Sequence, residues 1–221
     1  MFVLASLGLT FFYLLFLFAM SMLIQQNFYL KSVCQNENGK VILTFDDGPH
    51  PVHTLKILDI LDTYQLKAVF FMIGKQVETY PTIVKEVAIR GHQIGIHSQN
   101  HPLNFGFLSD KKLKKELVGC ANMIEAATGV IPYLFRPPFG ITNPAIARQV
   151  KRQKLVTIGW SVRSFDTATT SVEKIVNRVT KQMNEDSIVL LHDRLDQTVN
   201  ALPQIIDNIR GKGFDIGELT I

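Results

Sequence analysis

The sequence predicts an α/β fold built on a mostly parallel β-sheet, and two patterns lead to this prediction. From residue 41 to the end of the chain, short apolar runs rich in β-branched and aromatic residues alternate with stretches of helical period. Titratable side chains directly follow several of these runs, as expected where parallel strands end at a functional edge. The alternation fits either a closed, somewhat irregular barrel or a doubly wound open sheet.

The predicted strands are short runs of apolar, β-branched or aromatic residues. They are expected at residues 41–45, 68–73, 93–97, 132–135, 155–160, 187–191 and 213–216.

Six helices are predicted between these strands, and start and stop signals mark several of them. The third begins after Ser109 as N-cap and ends at Gly129. The fourth begins at Asn143-Pro144, an N-cap followed by proline at the first helical position, and the fifth begins at Ser171. The apolar faces are Leu55, Leu58 and Leu61; Val77, Ile83, Val84 and Val87; Leu113, Leu117, Cys120 and Ile124; Ile175, Val179 and Met183; and Leu202, Ile205, Ile206 and Ile209.

Residues 1–27 are predicted to be a membrane anchor or a signal segment. Residues 2–24 carry no charge and are rich in Leu and Phe, and a helix needs about 20 such residues to cross a bilayer core. A cleaved signal peptide is the alternative, with a cleavage site near Ala19-Met20-Ser21, although the basic region that opens such peptides is missing. The polar residues 28–40 are predicted to be a linker, which leaves residues 41–221 as one domain.

Composition argues against a nucleic-acid-binding protein. Hydrophobic residues make up 47% of the chain, enough for one domain with its own core, and the net charge is only +4. The densest basic run, KKLKK at residues 111–115, contains the inward-facing Leu113, so we interpret it as the solvated face of a helix. The two cysteines, Cys34 and Cys120, do not indicate a disulfide framework.

Polar side chains are concentrated at the carboxyl ends of the predicted strands. His97 and His101 are four residues apart and, with one carboxylate, form a two-histidine, one-carboxylate set that suits a divalent metal ion. One carboxylate of Asp46-Asp47 can then bind the metal, while the other stays ionised and takes a proton from metal-bound water. Arg136 is a natural partner to orient the free carboxylate.

A further histidine, His192, follows the sixth predicted strand at the same edge. We interpret it as a general acid, with a histidine satisfied inside the core as the alternative.

Together these residues resemble the motifs of the polysaccharide deacetylases of carbohydrate esterase family four, also called NodB-homology domains. The resemblance extends from about Val41 to the C-terminus and implies a distorted (β/α) barrel with about seven parallel strands. It also implies metal-dependent removal of N- or O-acetyl groups from glycans. The motifs are Thr44-Phe45-Asp46-Asp47-Gly48-Pro49, His97-Ser98-x-x-His101, Arg136-x-Pro138-x-Gly140, Trp160 with Asp166, and Leu190-Leu191-His192-Asp193.

Residue by residue, the resemblance implies that Asp47, His97 and His101 hold the metal. This metal would be zinc, with cobalt or another divalent ion as an alternative. Asp46 would be the general base, and Arg136 would orient it.

The remaining roles concern the acetyl group and the leaving group. The resemblance implies that His192 protonates the leaving amine. The backbone N–H of Phe139 would help to stabilise the oxyanion, and Trp160 and Leu190 would line the pocket for the acetyl methyl group.

The fourth motif departs from the pattern of the family. Many members have an aspartate where this chain has Arg163 and a tryptophan where it has Thr167. The missing aspartate would support the catalytic histidine or the arginine network, so Asp166 or Asp193 is expected to substitute for it.

The sequence therefore predicts a hydrolase that removes acetyl groups from a polysaccharide or oligosaccharide by attack of metal-bound water. A hydrolase of a non-peptide C–N bond in a non-sugar substrate is one alternative. A non-catalytic glycan-binding module is another, which the loss of a metal ligand would favour, and no such ligand is lost.

Two features of the sequence make opposite predictions about the side of the membrane on which the domain lies. Lys31 and Lys40, after the apolar segment, weakly favour a cytoplasmic domain. Acetylated polymers lie mostly outside the membrane, so we expect a domain that is anchored through residues 2–24 and faces the periplasm or the exterior. It would be secreted if the N-terminus is cleaved.

Overall fold

The computed structural model describes the backbone of residues 2–221 and the side chains of residues 6–221. Its centre is a curled sheet whose strand ladders are all parallel, in the order β1-β6-β5-β4-β3-β2-β8-β7, with β9 paired to the start of β2. The predicted α/β class and parallel sheet are therefore confirmed. The strands are β1 (Ser32–Val33), β2 (Lys40–Gly48), β3 (Val69–Met72), β4 (Gln93–Ile96), β5 (Leu134–Phe135), β6 (Val156–Ile158), β7 (Val162–Arg163), β8 (Ile188–His192) and β9 (Asp215–Ile216).

Seven of these strands overlap the predicted segments, whereas β1 and β7 were not predicted. The helices are α1 (Phe2–Met22), α2 (His53–Thr63), α3 (Gly74–Thr79), α4 (Pro81–Ile89), α5 (Asp110–Thr128), α6 (Pro144–Arg152), α7 (Val172–Gln182) and α8 (Asp196–Gly211). The single helix predicted through Val77 and Ile83 is two helices, because Pro81 lacks the N–H that would continue the first and disfavours helical geometry in the residue before it.

The sheet does not close into a complete barrel, because its two edge strands, β1 and β7, do not pair in the described part of the chain. Residues 32–36 occupy part of the opening. β1 pairs with β6, Gln35 forms an antiparallel bridge with Ser187 just before β8, and the N–H of Asn36 donates to the carbonyl of Asp186 over 2.8 Å. Part of the segment that was predicted to be a linker is thus built into the sheet.

The two faces of the strands bury different sets of residues. Val41, Leu43 and Phe45 of β2 pack in the large core between the sheet and the helices. Ile42, on the opposite face, joins a smaller core inside the curl with residues such as Phe71. The smaller core also contains Val69, Leu134, Ile158, Ile188 and Leu219. By strand alternation, Asp46 follows Ile42 on the inner face, at the carboxyl end of the sheet.

The N-terminal helix α1 contacts the domain near its own end. The carbonyl of Ser21 accepts a hydrogen bond from the N–H of Thr142 over 2.9 Å. In the part of the chain that the structure describes, no helix combines the length and the hydrophobicity that crossing a membrane requires.

Candidate active site

Two adjacent carboxylates reach the same mouth of the curled sheet because the end of β2 is irregular. Asp46 is paired with Phe71 and Gly48 with Met72, so Asp47 is the extra residue of a β-bulge, with a φ of 76°. In a regular strand the two side chains would point to opposite faces. The bulge brings both carboxylates to one pocket.

Asp47, His97 and His101 form a group of ligands that fits a metal ion. Oδ1 of Asp47 lies 3.6 Å from Nε2 of His97 and 3.6 Å from Nε2 of His101, and the ligand atoms all lie within 4.8 Å of one another. Nδ1 of His97 is 2.8 Å from the carbonyl oxygen of Arg136, which can only accept, so this nitrogen carries the hydrogen and Nε2 presents its lone pair. Two imidazoles and one carboxylate suit zinc or a similar divalent ion and leave coordination positions open.

The electrostatics of this group favour metal binding. Burial alone would raise the pKa of Asp47. The charges of His97 and His192 and a 2.9 Å hydrogen bond from Nε of Arg194 outweigh this effect, so the pKa lies below its usual value and the carboxyl group is ionised. Burial and the neighbouring His97 lower the pKa of His101, which favours the neutral ring that a metal ligand requires.

The side chain of Arg136 is completely buried and holds Asp46 in place. Nη1 of Arg136 donates to Oδ1 of Asp46 over 2.8 Å and to Oγ1 of Thr44 over 2.7 Å. Nε and Nη2 donate to the carbonyls of Ile158 and Gly159 over 3.1 and 2.7 Å. Oδ2 of Asp46 makes no hydrogen bond with the described residues and lies 3.9 Å from Nε2 of His97. This second oxygen is therefore free to accept a proton.

His192 is paired with Asp166. Its Nδ1 lies 2.7 Å from Oδ1 of Asp166, and its backbone N–H donates to Oδ2 over 2.8 Å. Thr198 donates to the same Oδ2 over 2.7 Å. Burial alone would lower the pKa of His192, but the hydrogen bond and charge of Asp166 outweigh it, so this pKa lies above its usual value. Nε2 is the nitrogen left to exchange a proton with the pocket.

Of the two carboxylates expected to substitute for the missing aspartate, Asp166 contacts His192 and Asp193 does not. Asp193 is buried behind β2, accepts a hydrogen bond from Thr54 over 2.6 Å, and has its other oxygen without a partner. Burial raises the pKa of Asp193 to about 7. A side chain at Gly48 would collide with this carboxylate, so the glycine is needed there.

One cavity of about 240 Å³ collects most of the predicted site residues. Phe139 lies at its mouth with a φ of 60°, and its ring is 4.7 Å from that of His101. The lining consists of Asp46, Asp47, His97, His101, Pro137, Phe139, Gly140, Trp160, Arg163, Thr167, Leu190, His192 and Arg194. Arg136 and Asp166 lie behind this lining and contact residues of it.

Sequence reasoning missed two contributors, Arg194 and Thr198. Arg194 lies two residues beyond His192 at the same edge of the sheet, a position that could have identified it. Thr198, in the first turn of α8, gives no signal in the sequence, because its role depends on how that helix docks.

Comparisons with known proteins show the family of this chain. Residues 35–158 match the family model described as "Polysaccharide deacetylase". A peptidoglycan-N-acetylglucosamine deacetylase of Bacillus cereus is 40% identical over 183 residues, which cover 80% of this chain and 85% of that protein.

Two further relatives are similar over the same region. The peptidoglycan-N-acetylmuramic acid deacetylase PdaC of Bacillus subtilis is 35% identical over 81% of this chain, and the match covers 38% of PdaC. The crystal structure of the Bc1960 peptidoglycan N-acetylglucosamine deacetylase superposes with a TM-score of 0.80 and 30% identity, covering 84% of this chain and 89% of that one.

Proposed function

This chain belongs to the polysaccharide deacetylase family, hydrolases of non-peptide carbon–nitrogen bonds, and we propose that it removes N-acetyl groups, with O-acetyl groups as an alternative, from a polysaccharide or oligosaccharide. One observation carries the proposal. A single pocket contains a metal-ligand set, a carboxylate with a free oxygen and a histidine of raised pKa.

Asp46 and His192 divide the proton transfers between them. Oδ2 of Asp46 takes the proton from the attacking water, and Arg136 keeps Oδ1 of the same carboxylate fixed. Nε2 of His192 gives a proton to the leaving amine, and Asp166 holds the ring from the other side. Amide hydrolysis near neutral pH requires one group that acts as a base and another that acts as an acid. Here these are two side chains, and each is held by its own partner.

The remaining pocket residues bind and orient the acetyl group. Trp160 and Leu190 line the pocket and supply apolar surface for the methyl group. The backbone N–H of Phe139 is the proposed donor to the oxyanion. A divalent cation held by Asp47, His97 and His101 would polarise the acyl oxygen and make water easier to ionise, with zinc as the proposed ion and cobalt as an alternative.

The test is acetate release from acetylated glycans, with and without a chelator. We expect release that the chelator abolishes and zinc restores. Asp46→Asn should lower turnover by about a hundredfold or more while bound zinc is retained, whereas His97→Ala should lose the zinc. Asp215→Asn, an exposed position in β9, is the matched control and should behave as wild type.

Two results would overturn the proposal. The first is no metal-dependent acetate release from peptidoglycan, chitooligosaccharide, exopolysaccharide or acetylxylan, which would favour a non-sugar amide substrate or a non-catalytic glycan-binding module. The second is near-normal turnover by Asp46→Asn, which would exclude Asp46 as the base.

We also propose that the domain faces the periplasm or the exterior and that residues 2–24 anchor it or direct its secretion. The uncharged, Leu- and Phe-rich composition of that segment supports this proposal. Cell fractionation, with mass spectrometry of the mature N-terminus, separates an uncleaved anchor from a cleaved signal peptide.

A further inference from the structure

The active-site pocket carries two arginines that the proposed chemistry does not use. Arg163, at the end of β7, and Arg194, just after β8, both line the cavity that contains His192 and Trp160. Family members with an aspartate at the first of these positions would have the opposite charge there.

Arg163 is held in place by aromatic rings. Its guanidinium carbon lies 4.7 Å from the ring centre of Phe165 and 5.9 Å from that of Trp160. Its side chain makes no ion pair or hydrogen bond with the described residues, and Nε is buried without a partner. The ring contacts position the cation but leave its N–H donors unused.

Two other arginines, whose roles are structural, have surroundings that differ from those of Arg163. Every nitrogen of the Arg136 guanidinium donates to a protein oxygen. Arg178 packs 4.7 Å from the same Phe165 ring, but it donates to the carbonyl of Ser164 and does not line the active-site pocket. Arg163 is instead a cation in the pocket with no oxygen partner.

Arg194 adds positive charge to the same wall. Its Nε donates to Oδ2 of Asp47 over 2.9 Å, and its side chain is about half exposed, so Nη1 and Nη2 remain available. The neighbouring carboxylates have other partners. Arg136 pairs with Asp46 and His192 pairs with Asp166, and neither aspartate pairs with Arg163. The pocket wall therefore has donors for an anion that the protein does not supply.

We propose that Arg163, assisted by Arg194, binds a carboxylate that the substrate carries beside its acetamido group. Arginine binds carboxylates through paired, charge-assisted hydrogen bonds. The inference rests on the proposed function and narrows it to acidic acetylated glycans. The carboxylate belongs either to an acid ether on the acetylated sugar itself or to a neighbouring uronic acid.

Binding is measured first, in an Asp46→Asn background in which the probes are not consumed. One probe is a tetrasaccharide of alternating N-acetylglucosamine and N-acetylmuramic acid, and its control is the methyl ester of the same compound. A second pair, of alternating glucuronic acid and N-acetylglucosamine and its methyl ester, distinguishes the two sources of the carboxylate.

We expect one acid to bind about tenfold more tightly than its ester at low salt, with a smaller ratio at high salt. Arg163→Gln should abolish the preference, and Arg163→Lys should keep part of it. Arg178→Gln, which alters the other arginine on the Phe165 ring, should leave it unchanged. Equal affinity for acid and ester in both pairs, or a preference that survives in Arg163→Gln, would overturn the inference.

Turnover separates this inference from the function on which it rests. With wild-type protein, acetate release from neutral chitotetraose reports the deacetylase activity alone. Failure to release acetate from chitotetraose and from both acid substrates, together with an acid preference in binding, counts against the proposed function and supports the anion site. With an active enzyme, the acid substrate should have a lower KM than its ester at similar kcat, and Arg163→Gln should remove that difference.

Discussion

At the scale of single residues, the adjacent carboxylates Asp46 and Asp47 are stabilised by different partners. Arg136 compensates Asp46 through one buried ion pair of 2.8 Å. Asp47 instead faces two histidines and Arg194. Removing one member of a buried charge pair is costly, because it leaves the other member without compensation. The two aspartates are therefore not interchangeable, although they are neighbours in the chain.

The pairing of Asp166 with His192 predicts a change in pH dependence. In the proposed reaction His192 must be protonated to serve the leaving amine, and Asp166 raises its pKa. Asp166→Asn removes that charge, so the pKa of His192 falls and the alkaline limb of kcat/KM moves to lower pH. We also expect kcat/KM at its optimum to fall by about a hundredfold.

The measurement is a kcat/KM profile for deacetylation, with Asp215→Asn as the control. An alkaline limb that stays in place in Asp166→Asn would show that it does not report His192.

The buried Asp193 predicts a pH-dependent stability. The carboxyl group titrates near 3.8 in an unfolded chain and at about 7 in the folded protein. Between these values the folded state binds the extra proton, so this group's contribution to stability is present below about pH 4 and is lost as the pH rises through 7. The difference amounts to at most about 4 kcal/mol.

Asp193→Asn removes the titration. We expect the free energy of unfolding of wild type to fall more steeply than that of the variant between pH 4 and pH 8. Urea titrations in the presence of a chelator measure this without interference from bound metal. Parallel pH curves for the two proteins would contradict the prediction.

The sequence identified most of the residues that meet in the pocket, because parallel strands bring their carboxyl ends to one edge. It could not distinguish Asp166 from Asp193 as the neighbour of His192. Asp193 is adjacent to His192 in the chain, yet it is buried against Thr54 on another element. Asp166 is distant in sequence, but its loop returns to β8. Only the docking of that loop decides between them.

At the scale of elements, the bulge in β2 and the strand β1 were the features hardest to predict. The bulge lies between Asp46 and Gly48, and apart from the glycine nothing in these residues predicts it. It is defined by the pairing of β2 with β3. β1 lies in the polar segment 28–40, where no apolar alternation marks a strand. β1 pairs with β6, and Gln35, two residues after β1, forms a bridge with Ser187 before β8. These long-range contacts determine the structure of the segment.

Asn36 tests whether this segment stabilises the domain. Its side chain is buried and donates from Nδ2 to the carbonyl of Lys40 over 2.9 Å. Asn36→Ala should lower the free energy of unfolding by about 1 kcal/mol, because the hydrogen bond to the carbonyl of Lys40 is lost. The matched control is Asn38→Ala, an exposed asparagine two residues further on, which should change stability by less than about 0.5 kcal/mol in urea unfolding. Equal stability of the two variants would mean that residues 32–36 contribute little to the fold.

At the scale of the whole molecule, the candidate metal ligands connect separate parts of the curled sheet. Asp47 lies at the end of β2, while His97 and His101 follow β4, with β3 lying between these two strands.

A cation that binds the folded chain and not the unfolded chain stabilises the folded chain by about 2.7 kcal/mol at a hundredfold excess over Kd. Zinc should therefore raise the Tm of wild type by several degrees, and EDTA should reverse the shift. His101→Ala should show a much smaller shift. His92→Gln, a buried histidine before β4 and outside the ligand group, should keep the full shift even if its own Tm is lower. An equal zinc shift in His101→Ala and wild type would place the stabilising metal elsewhere in the protein.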